Sequence, residues 1–108
     1  MILHLTPGLW LIACLLIMLP AQAELDPERQ QALRHLIRHD CGSCHGMTLQ
    51  GGLGPALTPD ALADKPFDLL VNTIIHGRPG TAMPPWKGLL SRKEAEWIVE
   101  QLLNGMPE

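Results

Sequence analysis

Apolar positions in this chain follow two regimes. Residues 1–23 contain no Asp, Glu, Lys or Arg, and Leu9 to Leu19 is an unbroken apolar run closed by Pro20 and Ala21-Gln22-Ala23. From Glu24 onward, apolar residues recur between charged ones at helical spacing. Leu33, Leu36 and Ile37 predict a first helix from Pro27 to Asp40. Asp26 serves as its cap, Pro27 lies in its first turn, and Arg29, Arg34 and Arg38 face outward. A second helix, Pro66 to His76, has Phe67, Leu70, Val71, Ile74 and Ile75 as its buried side and stops at Gly77. Ser91-Arg92-Lys93-Glu94 is a capping box that opens the third, with Ala95, Ile98, Val99, Leu102 and Leu103 as its apolar stripe. Gly105 and Pro107 end it.

Between these helices the chain is broken by Gly and Pro. Gly42 to Asp64 is too dense in both for a long element, although Thr58-Pro59-Asp60 can start one helical turn. A second loop runs from Gly77 to Leu90. No alternating pattern predicts a strand, so the expected fold is all-α.

The first 23 residues read as a cleaved signal peptide, with small residues at Ala21 and Ala23 and the cut before Glu24. The apolar run is short of the about 20 residues that a bilayer span needs. A retained anchor is the alternative. Leu11-Ile12-Ala13-Cys14 also fits a lipoprotein cleavage box, but most of the apolar run would then follow the cut. This division leaves one domain, residues 24–108, exported to the periplasm with no stable membrane span after cleavage. Its 8 basic and 11 acidic residues give a net charge of −3, which argues against nucleic acid as a partner. After the leader only Phe67, Trp86 and Trp97 remain as large aromatics. A core this poor in bulk is marginal in so short a domain unless a cofactor completes it.

The residues that carry chemistry supply that cofactor. Cys41-Gly42-Ser43-Cys44-His45 places two thiols on one helical turn, able to add across the two vinyl groups of haem, with an imidazole next in line for the iron. A thioredoxin-like pair would need strands. A structural zinc site would need further ligands, and no Cys follows Cys44. A bare disulfide leaves His45 unexplained. For the sixth iron position Met83 is favoured, in a loop stiffened by Pro84 and Pro85. Met47 is too close to His45 in sequence, Met106 is terminal, and His35 and His39 precede the motif. His76 is the next candidate. The Pro55 carbonyl is a candidate acceptor for the His45 ring, and Arg78 and Trp86 are candidate donors to haem propionates. Trp97 is expected to pack between the terminal helices.

With these residues assembled, the chain resembles the small class I cytochromes c of bacteria. The likeness rests on Cys-Gly-Ser-Cys-His-Gly at 41–46, Gly-Pro-Ala at 54–56, Met-Pro-Pro at 83–85 and Trp-Ile-Val-Glu-Gln at 97–101. It implies three to five helices around one covalent haem c. It also implies thioethers from Cys41 and Cys44, iron ligation by His45 and Met83, and a Pro55 carbonyl holding His45. The stretches 51–59 and 77–86 resemble the cytochrome c55x group, monohaem proteins associated with cytochrome cd1 nitrite reductase in denitrifying bacteria. That narrower likeness implies one-electron transfer to the nitrite reductase, or service in haem d1 maturation, by a monomer that is not itself an enzyme. Lys87, Arg92 and Lys93 form the expected docking patch. An open-site haem enzyme or gas sensor is the remaining alternative, and no acid–base pair near Met83 favours it.

Overall fold

The computed structural model describes residues 24–107, and the expected signal peptide lies outside the described residues. Within them the backbone forms helices and loops with no strand. No helix among the described residues is long and apolar enough to cross a membrane.

Helix α1, Pro27–Leu36, begins where the Asp26 carboxylate accepts the Arg29 N–H at 2.9 Å. The helix does not stop at Asp40, as the sequence pattern predicts. It widens into a π-helical turn, Ile37–Cys41, and continues as α2, Gly42–His45. A π turn accommodates one extra residue, so it offsets the α-helical register between Ile37 and Cys41. Such turns concentrate at functional sites, and this one delivers the chain into the Cys-x-x-Cys-His motif.

Helix α3, Pro59–Leu62, is the single turn expected after Thr58, whose hydroxyl accepts the Ala61 N–H at 3.4 Å. Helix α4, Phe67–His76, follows Pro66 and is ended by Gly77 at φ 65°. Helix α5, Arg92–Leu103, carries both bonds of the capping box: Glu94 N–H to Ser91 Oγ at 3.1 Å and Ser91 N–H to Glu94 Oε2 at 3.3 Å.

Helix α5 is the hub, packing against α1, α3 and α4. Leu33 and Ile37 from the first helical run meet Leu49, Leu62, Leu90, Ile98 and Leu102 in one cluster, and Val71 meets Ala95 and Val99 in another. Every large, fully buried side chain here is aliphatic, each worth roughly 1.5–3 kcal/mol on burial. Phe67 departs from the expected pattern. It stands one turn before Val71 but is 37% exposed and packs on neither core cluster. Trp86 and Trp97 are half-buried at the edge of the larger cluster.

Polar links fix the helix crossings. The Arg29 guanidinium grips Glu94 with two bonds of 3.0 and 2.9 Å, joining the start of α1 to the start of α5. The Arg34 guanidinium stands 5.2 Å over the Trp97 ring, which places Trp97 between the terminal helices as expected. Arg92 donates to Asn72 Oδ1 at 3.0 Å and pairs with Asp68 at 3.6 Å and Glu96 at 3.3 Å. Arg92 thus links α5 to α4 through Asn72 and Asp68 and pairs with Glu96 within α5.

Candidate cofactor site

Cys41 closes the π turn, and Cys44 and His45 lie in α2 immediately after it. Both thiols are half-buried and free, with no disulfide between them. Burial, reinforced by the Asp40 carboxylate, pushes the Cys41 thiol up to about 11. Ser43 ties the turn down, its hydroxyl donating to the Asp40 carbonyl at 2.8 Å.

The imidazole of His45 is held on one side only. Its Nδ1 lies 2.7 Å from the Pro55 carbonyl oxygen. A carbonyl can only accept, so Nδ1 carries the proton and Nε2 presents its lone pair. Nε2 has no hydrogen bond among the described residues. A ring fixed through Nδ1–H to a backbone carbonyl, with Nε2 open, is the state a metal-ligating histidine requires.

The loop that brings Pro55 to His45 explains the glycines that the sequence pattern showed only as breakers. After Gly46 the chain doubles back. The Gly51 N–H donates to the His45 carbonyl and the Gly54 N–H to the Cys44 carbonyl, both at 2.8 Å, which satisfies orphan carbonyls at the end of α2. The backbone lies so close that a Cβ on Gly54 would stand 2.9 Å from both Nδ1 and Cε1 of His45, and one on Gly52 would stand 2.8 Å from the Cys44 carbonyl. Only bare backbone fits against this ring. The signal available in the sequence was the spacing Gly51-Gly52-x-Gly54 just before Pro55.

Met83 is half-buried in the loop that follows α4. Its backbone carbonyl accepts the Arg78 N–H at 3.1 Å. Further on, the Trp86 and Lys87 N–H groups donate to the Ile74 and Ile75 carbonyls at the end of α4. Gly77 is squeezed in this closure: a Cβ there would meet the Met83 carbonyl oxygen at 2.6 Å. Thr81, which sequence reasoning passed over, works inside the loop. Its hydroxyl donates to the Arg78 carbonyl at 2.6 Å and accepts the Met83 N–H at 3.3 Å. The Arg78 side chain is exposed, and Trp86 packs on the core cluster. Neither makes a side-chain hydrogen bond among the described residues. The structure thus brings Cys41, Cys44, His45 and Pro55 together and secures Met83 in a separate loop.

Two free thiols on one turn beside an imidazole with an open Nε2 fit a haem held by two thioethers and one axial nitrogen. Fold and site together define a c-type cytochrome domain. Residues 28–102 match the profile of the family described as cytochrome c oxidase, cbb3-type, subunit III, and the chain belongs to this family of cytochrome c domains. It carries covalently bound haem c. The chain is 54% identical over 102 residues to a cytochrome c55X of Pseudomonas aeruginosa, covering 91% of this chain and 86% of that one. It is 52% identical over 101 residues to a cytochrome c55X of Stutzerimonas stutzeri, covering 94% and 89%. The solved structure of the c-type cytochrome NirC superposes with a TM-score of 0.74 at 59% identity, over 75% of this chain and 95% of that one.

Proposed function

We propose that this chain is a periplasmic one-electron carrier of denitrification, with Cys41 and Cys44 forming the thioethers and His45 and Met83 ligating the iron. The observation that carries the reading is the 2.7 Å contact between His45 Nδ1 and the Pro55 carbonyl, which leaves Nε2 as the donor. When bound, the haem supplies a one-electron couple between ferric and ferrous iron. The chain's own residues set how that couple behaves. The Pro55 carbonyl raises the basicity of His45 and so favours the ferric state, while the neutral thioether of Met83 favours the ferrous state. Were the iron held by His45 on α2 and by Met83 on its loop, little rearrangement would accompany electron gain or loss. Arg78 and Trp86 flank the Met83 loop as donors to the propionates. Lys87 and Lys93 steer a weak, transient complex with the redox partner, cytochrome cd1 nitrite reductase. Residues 1–23 are the cleaved signal peptide, residues 24–108 form the cytochrome c domain, and the working form is a monomer.

The spectrum of the ferric protein tests the ligand set. A methionine-to-iron charge-transfer band that Met83→Ala abolishes supports the carrier. Ready carbon monoxide binding by the ferrous wild type overturns it in favour of an open site. Stopped-flow reduction of cytochrome cd1 nitrite reductase by the ferrous protein tests the customer.

One observation favours a second reading, service in haem d1 maturation. The chain is 36% identical over 72 residues to a dihydro-heme d1 dehydrogenase of Pseudomonas aeruginosa, covering 67% of this chain and 15% of that one. A dehydrogenation releases two electrons, and a monohaem carrier takes them one at a time. Fast reduction of the ferric chain by that dehydrogenase at work, with no useful rate toward the nitrite reductase, selects this reading.

A further inference from the structure

The geometry points to a second metal site on this protein: His35 and His39 chelate a divalent late transition metal, Cu²⁺ before Ni²⁺ and Ni²⁺ before Zn²⁺, on the outer face of the first helical run. The two residues stand four apart, the spacing that stacks side chains on one helix face and that serves paired imidazole ligands on helices elsewhere. Both are exposed, and their ring centroids lie 4.1 Å apart with planes tilted by 36°.

The separation can be compared with what chelation demands. A metal–nitrogen bond is about 2.0–2.1 Å and the imidazole centre lies roughly 1.1 Å beyond the nitrogen, so each centroid sits about 3.1–3.2 Å from the ion. Two such ligands at a right angle put their centroids about 4.4 Å apart, and two at the tetrahedral angle about 5.1 Å apart. The observed 4.1 Å is near the right-angle value. Right angles belong to square-planar and octahedral ions, Cu²⁺ and Ni²⁺, and the tetrahedral angle belongs to Zn²⁺. The general affinity order of divalent ions for nitrogen sites places copper first as well, so geometry and affinity agree. Aiming both ring nitrogens at one ion takes rotation about the Cβ–Cγ bonds, broad torsions that exposure leaves unhindered.

The scaffold under the pair is rigid. Ile37, between the two histidines in sequence, is fully buried, as is Leu33, and so anchors the opposite side of the helix. The Asp26 cap and the Arg29–Glu94 clamp hold the start of α1. Arg34, adjacent to His35, is turned over Trp97 and keeps its charge on that side. Gln31, one turn before His35 on the same row, is exposed and offers a carboxamide oxygen; water fills the remaining positions. These residues are distinct from Cys41, Cys44, His45 and Met83, so the inference does not need that ligand set.

The test uses the purified ferric holoprotein, in which the iron has no electron to give to copper, titrated with CuSO₄ in a non-coordinating buffer. Calorimetry should show one tight Cu²⁺ per chain, and the electron paramagnetic resonance spectrum should carry coupling to two imidazole nitrogens. His35→Ala and His39→Ala should each weaken binding at least tenfold and reduce the coupling to one nitrogen, because a chelate loses its advantage when either arm goes. An unaltered haem absorption spectrum verifies that each variant is folded. Binding that survives either substitution at wild-type affinity overturns the proposal, as does Zn²⁺ binding tighter than Cu²⁺.

Discussion

Replacing Gly54 by Ala should disturb His45, the proposed iron ligand, without touching it chemically. The added Cβ would stand 2.9 Å from His45 Nδ1 and Cε1. Ordinary contacts of this kind lie at about 3.5–4.0 Å, so the two groups must separate by roughly 0.6–1 Å. His45 is fixed by α2, and Gly54 is fixed on its other side by its bond to the Cys44 carbonyl at 2.8 Å. The segment from Gly54 through Pro55 is what can yield, and Pro55 carries the carbonyl that His45 bonds. Overpacking of this size costs about 1–3 kcal/mol. For a domain of this length each kcal/mol lowers the melting midpoint by about 4–8 °C. Stretching the 2.7 Å bond also makes the imidazole a poorer donor and weakens the ferric state. A net hydrogen bond is worth about 0.5–1.5 kcal/mol, so the reduction potential should rise, by at most about 20–65 mV for this one-electron couple. Spectroelectrochemical titration and thermal melting of the two holoproteins measure both. Gly54 does not have a positive φ, so backbone strain cannot account for the change. Gly88→Ala is the control: no atom lies within 4 Å of its added Cβ, and the expected effect is neutral or stabilising by up to about 1 kcal/mol. A Gly54→Ala protein that melts and titrates like the wild type refutes the claim that this loop orients His45.

Thr81→Val removes the hydroxyl that bonds the Arg78 carbonyl and the Met83 N–H, with nearly the same shape. A loss of about 1 kcal/mol should bring the alkaline disappearance of the methionine–iron band down by roughly 0.7 pH unit, with Thr81→Ser close to wild type. Glu94 gives the acid side. Hydrogen bonds from Arg29 hold its carboxyl below the usual glutamate range. The stability this contributes is complete above that range and is lost as pH falls through the lowered value. Urea midpoints measured down through this range should decline less steeply for Glu94→Gln, whose side chain no longer titrates, and equal slopes would discount the link.

The helices were legible because capping chemistry and apolar periodicity agree with their packing. Ser91 and Glu94 announce α5, and the buried row Ala95, Ile98, Val99 and Leu102 is the row its spacing implies. Phe67 misled because periodicity assigns a face and cannot say how far along that face a neighbour reaches. The π turn at Ile37–Cys41 has no periodic signature, since the extra residue changes hydrogen bonding without changing composition. Cys41, Cys44 and His45 could be read directly because their chemistry needs fixed local spacing. The cradle around His45 is a tertiary property: Gly54 matters through an atom it lacks, and nothing in a string of letters marks what would have filled that space. Arg92 shows the reverse. A charge that looks free in sequence pairs with Asp68 of α4 once the helices pack.

The two ligand loops are held by different physics, and this sets the order in which they give way. The loop over His45 is pinned by backbone bonds of 2.8 Å to the Cys44 and His45 carbonyls and by bare backbone against the ring, and the thioethers proposed at Cys41 and Cys44 would tie the adjoining helix to the cofactor. Leu49, in the same loop, is only 8% exposed and joins the main core cluster. The loop of Met83 is closed at its tip by the exposed bonds of the Thr81 hydroxyl to the Arg78 carbonyl and the Met83 N–H, and only its base, through Gly77 and the Trp86 and Lys87 N–H groups, is tied to the end of α4. Residues 78 to 82, which lead to Met83, are all exposed. Few buried apolar contacts and solvent-accessible hydrogen bonds mark the segments that open locally at low free energy. In rising guanidinium the methionine–iron band should therefore fade before the helical circular dichroism signal, while the histidine stays bound. Because the early step releases only this loop, its denaturant dependence should be shallow beside that of global unfolding, which exposes the whole core. Coincident transitions by both probes would show that the Met83 loop is as deeply tied into the cooperative core as Leu49, and would contradict the exposure on which this ordering rests.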